Sequence, residues 1–254
     1  MQQAIIFGIK VHSFDKAEFI QRILNLVIAP NQVRIASANI HNLNLAYRYP
    51  RLSNFYRSVD IFHCDGAGVV LAAKLKGIIS CGPRLATLDV FFDLTKEFIS
   101  KKYSIFILGG RPEVAEKAAY ILKEQYGELK IAGTNHGYFN KEDPIECRKV
   151  AFKVFESGAD ILFVGMGAPI QEYWVEEWGR ETQAKLIWCV GGIFDVIAKE
   201  THRGPSLLVE HGFEWLTRLV RNPRRYWRRY TIGNILFFYR LFRNKSKFLK
   251  TNGL

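Results

Sequence analysis

None of the four cysteines, Cys64, Cys81, Cys147 and Cys189, stands in a C-x-x-C pair, and no two of the six histidines have metal-ligand spacing. A zinc site is therefore not expected, whereas four buried thiols in a reducing compartment are. No apolar run approaches the ~20 residues that cross a bilayer. The longest runs are short, such as Ile235 to Tyr239 and Ala4 to Phe7. The N-terminus, Met-Gln-Gln-Ala-Ile-Ile, lacks a basic leader segment, so the chain is expected to stay in the cytoplasm. Gly109-Gly110-Arg111 is not a Walker loop, and Gly165-Met166-Gly167 fails as a dinucleotide fingerprint because Ile170 replaces its third small residue. Neither ATP nor NAD is indicated, and no resident cofactor is expected. Asp-x-Asp is absent too, so no carboxylate pair announces a metal for a diphosphate.

Acidic residues are missing from one region only. The 254-residue chain has 36 Lys+Arg against 24 Asp+Glu, a net charge of +12. Eleven of those basic residues, and none of the acidic ones, lie from Trp215 onward. The body is nearly neutral, and the tail is strongly basic. The tail is also aromatic, with Trp215, Tyr226, Trp227, Tyr230, Phe237, Phe238, Tyr239, Phe242 and Phe248. Cations interleaved with rings suit an anionic membrane interface, and the same mixture could stack bases and hold phosphates. A plainer reading is a solvated helix pair packing its rings on the body.

Apolar strands alternate with amphipathic helices. Strands are expected over Ala4 to Ile9, Val33 to Ala38, Asp60 to Cys64, Ser104 to Leu108, Lys130 to Thr134, Asp160 to Val164 and Lys185 to Val190. Helices fall between them, with Pro50 a potential break, and the chain after Gly204-Pro205 is helical with a break at Asn222-Pro223. This pattern predicts an α/β fold: a Rossmann-like, mainly parallel sheet covered by helices on both faces, over residues 1–203, plus a helical appendage over 204–254. Ligands of such sheets bind beyond the carboxyl ends of the strands. Asn39, Asp65, Gly109, Tyr138, Gln171 and Asp195 all follow predicted strands, around one crevice.

Asp65, flanked by Gly66 and Gly68, reads either as a general base at the mouth of a site or as a helix N-cap. The glycine turns at Gly109-Gly110 and Gly165-Met166-Gly167 can present backbone N–H groups to an anion. Arg218 and Arg221 lie three residues apart. Arg224 with Arg228, and Arg225 with Arg229, lie four apart. Arginine forks hold phosphate well and could stabilise charge on a leaving group without metal, or they could simply face lipid.

Seven segments in order resemble the WecG/TagA/CpsF glycosyltransferases: Ser37-Ala38-Asn39-Ile40-His41, Asp65-Gly66-Ala67-Gly68-Val69-Val70, Gly137-Tyr138-Phe139, Val164 to Glu172, Val190-Gly191-Gly192-Ile193-Phe194-Asp195, Gly212 to Leu216 with Arg218, and Asn222 to Tyr230. The resemblance implies a metal-independent, inverting transferase with a core of the GT-E type. It implies a UDP-sugar donor, a polyprenyl-diphosphate-linked saccharide acceptor and an appendage that meets the cytoplasmic face of the membrane peripherally. Its products would feed teichoic acid, enterobacterial common antigen, capsule or exopolysaccharide. By the same resemblance Asp65 is the catalytic base, with Arg218, Arg225 and Arg228 neutralising the diphosphate. Ser37, Asn39, Gly66, Gly109, Tyr138, Gly165, Gly167, Gln171, Gly192, Asp195, Arg221 and Arg224 would line the substrate site. Two positions depart from the pattern: Ser37 stands where Thr is usual, and Thr87 replaces the Gly of R-x-x-G-x-D. These keep UDP-glucose beside UDP-N-acetylmannosamine as donor. From other classes, a nucleic-acid-binding tail would show steep salt dependence and need no crevice, and a nucleotide-dependent oxidoreductase lacks its fingerprint. Nucleic acid is not expected as a partner, and the oligomeric state is open, a homo-oligomer included.

Overall fold

The computed structural model describes residues 2–76 and 83–243, with the backbone alone at Gln2 and Arg225. Cys81 and the tail's Lys245, Lys247, Phe248 and Lys250 lie outside the described residues. The chain opens with β1 (Gln2–Ile6) and β2 (Ile9–Ser13), paired antiparallel across the turn Phe7-Gly8, whose φ values are +52° and +75°. The single strand expected over Ala4 to Ile9 is therefore a hairpin. Its two turn residues are left-handed, which matches strand twist. Arg57 donates to the Gly8 carbonyl at 3.1 Å and pins the turn.

Helix α1 (Lys16–Val27) starts at Asp15, whose carboxylate accepts from the Glu18 N–H at 2.8 Å. There follow β3 (Val33–Ala38), α2 (Ile40–Arg48), α3 (Pro50–Ser58), β4 (Ile61–Cys64) and α4 (Ala67–Leu75). Pro50 does divide α2 from α3, as the first residue of the second helix. The next run is α5 (Thr87–Ser100), β5 (Ser104–Gly109), α6 (Val114–Gln125), β6 (Lys130–Asn135) and α7 (Pro144–Glu156). Then come β7 (Ile161–Gly165), α8 (Ile170–Trp178), β8 (Leu186–Cys189) and α9 (Ile193–Ile197). Four helices end the description: α10 (Ser206–Glu210), α11 (Glu214–Arg221), α12 (Pro223–Tyr230) and α13 (Ile232–Arg243).

One eight-stranded sheet runs β1-β2-β4-β3-β8-β7-β5-β6, parallel from β2 onward. It is the mainly parallel, doubly covered sheet expected. Alternation assigns its side chains to two cores. Ala36, Phe62, Phe106, Leu162 and Ile187 pack under α2, α3, α4, α7 and α8. Ile35, Ile105, Ile107, Phe163 and Trp188 pack under α1, α5, α6 and α9. The chain builds outward through β3 and β4, crosses to β5 and β6, then returns through β7 and β8 to the centre. That reversal opens a crevice at the carboxyl ends of β3, β8 and β7.

The appendage has three breaks rather than one, the first over residues 211–213 between α10 and α11. The second is at Asn222, which makes no side-chain cap bond, and the third is at Thr231, whose hydroxyl donates to the Trp227 carbonyl at 2.6 Å. Helix α13 returns to the body. Phe237 and Leu241, one turn apart, are buried, and the Phe237 ring lies 5.6 Å from Phe7. Asn44 on α2 donates to the Gly233 carbonyl at 2.7 Å and accepts from Arg240 at 2.8 Å. Burying a phenyl ring of this kind is worth about 2–3 kcal/mol.

Candidate active site

Two strand ends form one wall of the crevice. Asn39 leaves β3 and caps α2, its Oδ1 accepting from the Asn42 N–H at 2.9 Å. Asn42 in turn donates to the Ser37 carbonyl at 2.8 Å, with Ser37 buried on β3. At the end of β4 the N–H groups of Asp65 and Gly66 both donate to the Ala38 carbonyl. This brings Gly66 so close to Asn39 that a Cβ would stand 3.1 Å from its Cα. Asp65 does not cap α4, whose N-cap position is Gly66 and carries no side-chain cap bond. Its Oδ1 instead accepts from the Thr87 N–H at 3.0 Å, at the start of α5. Burial, reinforced by Glu214, pushes the Asp65 carboxyl above the usual carboxylate range, while Arg84, the Thr87 N–H and Arg218 oppose it. A carboxylate made more basic while still facing cations is suited to accept a proton.

Glycines build the other wall. Gly109, with φ of +154°, ends β5 against Gly165, where a Cβ would sit 2.4 Å from the Gly165 carbonyl oxygen. No other residue fits there. Gly137, next to the exposed Tyr138, donates to the Gly110 carbonyl at 2.8 Å, so the loop after β6 leans on the same turn. Gln171 lies beneath the loops after β7 and β8. Its Oε1 accepts from the N–H groups of Gly167 and Gly191, each at 3.1 Å. Behind it the buried Glu172 accepts from Gln171 Nε2 at 2.9 Å and from the Tyr56 hydroxyl at 3.1 Å. Burial raises Glu172 to about 7, against the pull of those hydrogen bonds. Gly192 and Asp195 open α9, with the Asp195 carboxyl 3.4 Å from where a Gly192 Cβ would be. Among the described residues, no three His, Cys, Asp or Glu side chains cluster where they could hold a metal ion.

The appendage closes over the Asp65 side. Arg84 donates to the carbonyls of Asp65 at 3.0 Å and Val209 at 2.9 Å, and pairs with Glu214 at 2.9 Å. Arg203 pairs with the same Glu214 oxygen at 2.5 Å and grips Asp89 with both terminal nitrogens. Gly212, with φ of +79°, comes so near Ala67 that Cβ atoms would be 2.5 Å apart. Arg218 on α11 is thereby brought within electrostatic range of Asp65. Arg229 on α12 acts on His41 in α2, whose pKa falls to about 4, chiefly by burial and then by that charge. Arg221, Arg224 and Arg228 are exposed, and the Arg225 side chain lies outside the description. Arg228 lies over the Trp227 ring at 5.4 Å. Sequence reasoning missed Arg84, Arg203, Glu214 and Asp89 as a dock for α11. Arg84 and Asp89 stand in the R-x-x-G-x-D stretch and Glu214 in the Gly212 to Leu216 segment, but spacing cannot show that Arg84 meets Glu214 or that Arg203 meets Asp89, each pair more than a hundred positions apart.

Residues 4–251 match the model of the Glycosyl transferase WecG/TagA/CpsF family. The chain belongs to that family. A relative from Bacillus spizizenii (strain ATCC 23059 / NRRL B-14472 / W23) is 32% identical over 184 residues, covering 72% of this chain and 69% of its own. One from Staphylococcus aureus (strain MRSA252) is 27% identical over 243 residues, covering 93% and 92%. Both are named N-acetylglucosaminyldiphosphoundecaprenol N-acetyl-beta-D-mannosaminyltransferase. The enzyme is thus a glycosyltransferase, and among the described residues no helix is long and apolar enough to cross a membrane.

Proposed function

We propose that the enzyme transfers a sugar from a UDP-sugar to a polyprenyl-diphosphate-linked saccharide, with inversion and without a metal. Asp65 carries the reading: a carboxyl raised by burial, held by the Thr87 N–H at 3.0 Å, at the end of a central strand. The acceptor hydroxyl oxygen attacks the anomeric carbon as the bond to UDP breaks, and its proton passes to Asp65. The glycine loops after β5, β7 and β8 would cradle the nucleotide, with Ser37, Asn39, Gln171, Tyr138 and Asp195 around it. Arg218, Arg221, Arg224, Arg225 and Arg228 would neutralise the departing diphosphate, the task a divalent cation serves elsewhere.

The relatives' names support a GlcNAc-diphospho-undecaprenol acceptor and N-acetylmannosamine as the sugar moved. A second donor, UDP-glucose, is kept because Thr87 sets a buried side chain beside Asp65 where the family pattern has Gly. Membrane contact is supported by α13, which is apolar on two sides. Phe237 and Leu241 are buried, while Ile235, Tyr239 and Phe242 line an exposed stripe with Trp227 of α12 nearby in sequence. Residues 204–254 would thus form a peripheral anchor at the cytoplasmic face and also bring arginines to the site.

The test is UDP release from UDP-N-acetylmannosamine and UDP-glucose, with GlcNAc-diphospho-undecaprenol in vesicles and EDTA present. Turnover of one donor that survives EDTA and collapses in Asp65→Asn, with UDP still bound, is expected. Loss of turnover in EDTA, restored by a divalent cation, would overturn the metal-free mechanism. Full activity in Asp65→Asn would overturn the base.

A further inference from the structure

Glu172 touches no open surface, yet it stands directly behind the two glycine loops. Its Oε1 accepts from Gln171 and from Tyr56, and its Oε2 has no hydrogen-bond partner among the described residues. Tyr56 is itself held, stacked on Phe62 with ring centroids 4.4 Å apart. Gln171 must present its carbonyl oxygen to two N–H donors, those of Gly167 and Gly191. Turned over, its NH2 would face those donors and its oxygen would face the carboxyl of Glu172. Two clashes of like polarity would replace three hydrogen bonds, so the acceptor behind Gln171 decides which way the amide points. The loops that depend on it are poised: Gly167 and Gly191 have φ of +80° and +62°, with nothing within 4 Å of where a Cβ would be.

We propose that Glu172 is a positioning residue for glycosyl transfer: through Gln171 it holds the Gly167 and Gly191 loops in register at the ends of β7 and β8, where the donor nucleotide binds. This rests on the reading of those loops as the nucleotide site. The contact is polar and directional, so it can be inverted by exchanging the two residues.

The experiment uses the full chain and three isosteric variants, with UDP affinity by calorimetry and hydrogen exchange of the Gly167 and Gly191 segments. Glu172→Gln keeps an acceptor oxygen and is expected to stay within about threefold of wild type. Gln171→Glu sets two carboxyls against each other, which near neutral pH can share a proton; at about pH 9, where that proton is lost, it is expected to weaken UDP about tenfold or more relative to wild type at the same pH, with faster exchange confined to the two loops. The double exchange, Gln171→Glu with Glu172→Gln, restores one donor facing one acceptor and is expected to recover affinity and protection. Unchanged affinity in Gln171→Glu, or a double variant no better than the single, would overturn the proposal. If Gln171→Glu folds poorly, the melting temperature decides: recovery in the double variant supports the pair, and none overturns it. Failure of the wild type to bind UDP would instead refute the nucleotide reading, and exchange in the ligand-free protein would still decide whether the pair orders the loops.

Discussion

Glu214 joins two arginines where α11 docks, and Glu214→Gln tests how far that docking rests on it. In the native protein its Oε1 receives Arg84 at 2.9 Å and Arg203 at 2.5 Å, with side chains only 15–20% exposed. Breaking a fully buried ion pair costs about 3–5 kcal/mol, largely because a charge is left without its partner. Here two arginines lose one carboxylate, but residual solvent and the neutral amide's own acceptor oxygen reduce the cost. Arg203 also keeps Asp89, and Arg84 keeps two carbonyls. The net loss is expected to be about 2–3 kcal/mol, a ~30–150-fold rise in the population with α10 and α11 undocked. Hydrogen exchange measures it directly: amides of residues 206–221 should exchange faster by that factor while β3, β5, β7 and β8 keep their protection. Turnover should fall as well, because Arg218 leaves the field of Asp65, while UDP binding to the glycine loops is less affected. Unchanged protection over 206–221, or equal loss throughout the sheet, would refute the reasoning.

Other perturbations follow from the same structure. Gly109→Ala forces a Cβ into the Gly165 backbone; a loss of about 3 kcal/mol is expected in urea unfolding, and a change under 1 kcal/mol would contradict it. Phe237→Ala empties the contact between α13 and the hairpin and should cost about 3–5 kcal/mol, read as a lower melting temperature. Stability should fall as pH drops below 6.5. Burial depresses His12 and His41 to about 4 and His63 to about 3, so the unfolded chain takes up more protons below 6.5, and each histidine removes about 2 kcal/mol by pH 5. Glu172, raised to about 7, acts oppositely: its contribution is full below pH 4.5 and lost as pH rises through 7, by about 3 kcal/mol in all. With three histidines set against one carboxyl, a urea midpoint that stays level or rises as pH drops from 6.5 to 5 would contradict this balance. Trp227→Glu with Tyr239→Glu should reduce sedimentation with anionic vesicles several-fold and leave melting nearly unchanged; equal sedimentation would remove the proposed membrane face.

The local grammar of this protein is legible in its sequence, because strand and helix periods, caps and turns are properties of neighbouring residues. Alternation in β3, β5, β7 and β8 marks two buried faces, Asp15 and Pro50 mark helix starts, and the polar clusters fall where strands end. The crevice at those ends follows from the parallel topology that this alternation of strands and helices implies. Spacing could not reveal which distant groups meet. Phe7 reads as one more strand residue, and only its pairing context makes it half of a turn. Asp65 has the look of an α4 cap, yet its oxygen is taken by Thr87 across a loop. Gln171 stands in a segment that points to the substrate site, and only the fold shows its oxygen held by two backbone N–H groups. The Arg84–Glu214–Arg203–Asp89 dock joins residues whose charges have no common period. Such pairings form only when folding brings far-separated segments together and withdraws them from water, where an unpaired charge or amide is costly. Tertiary structure alone therefore decided which of the charged and polar residues are partners and which face the crevice.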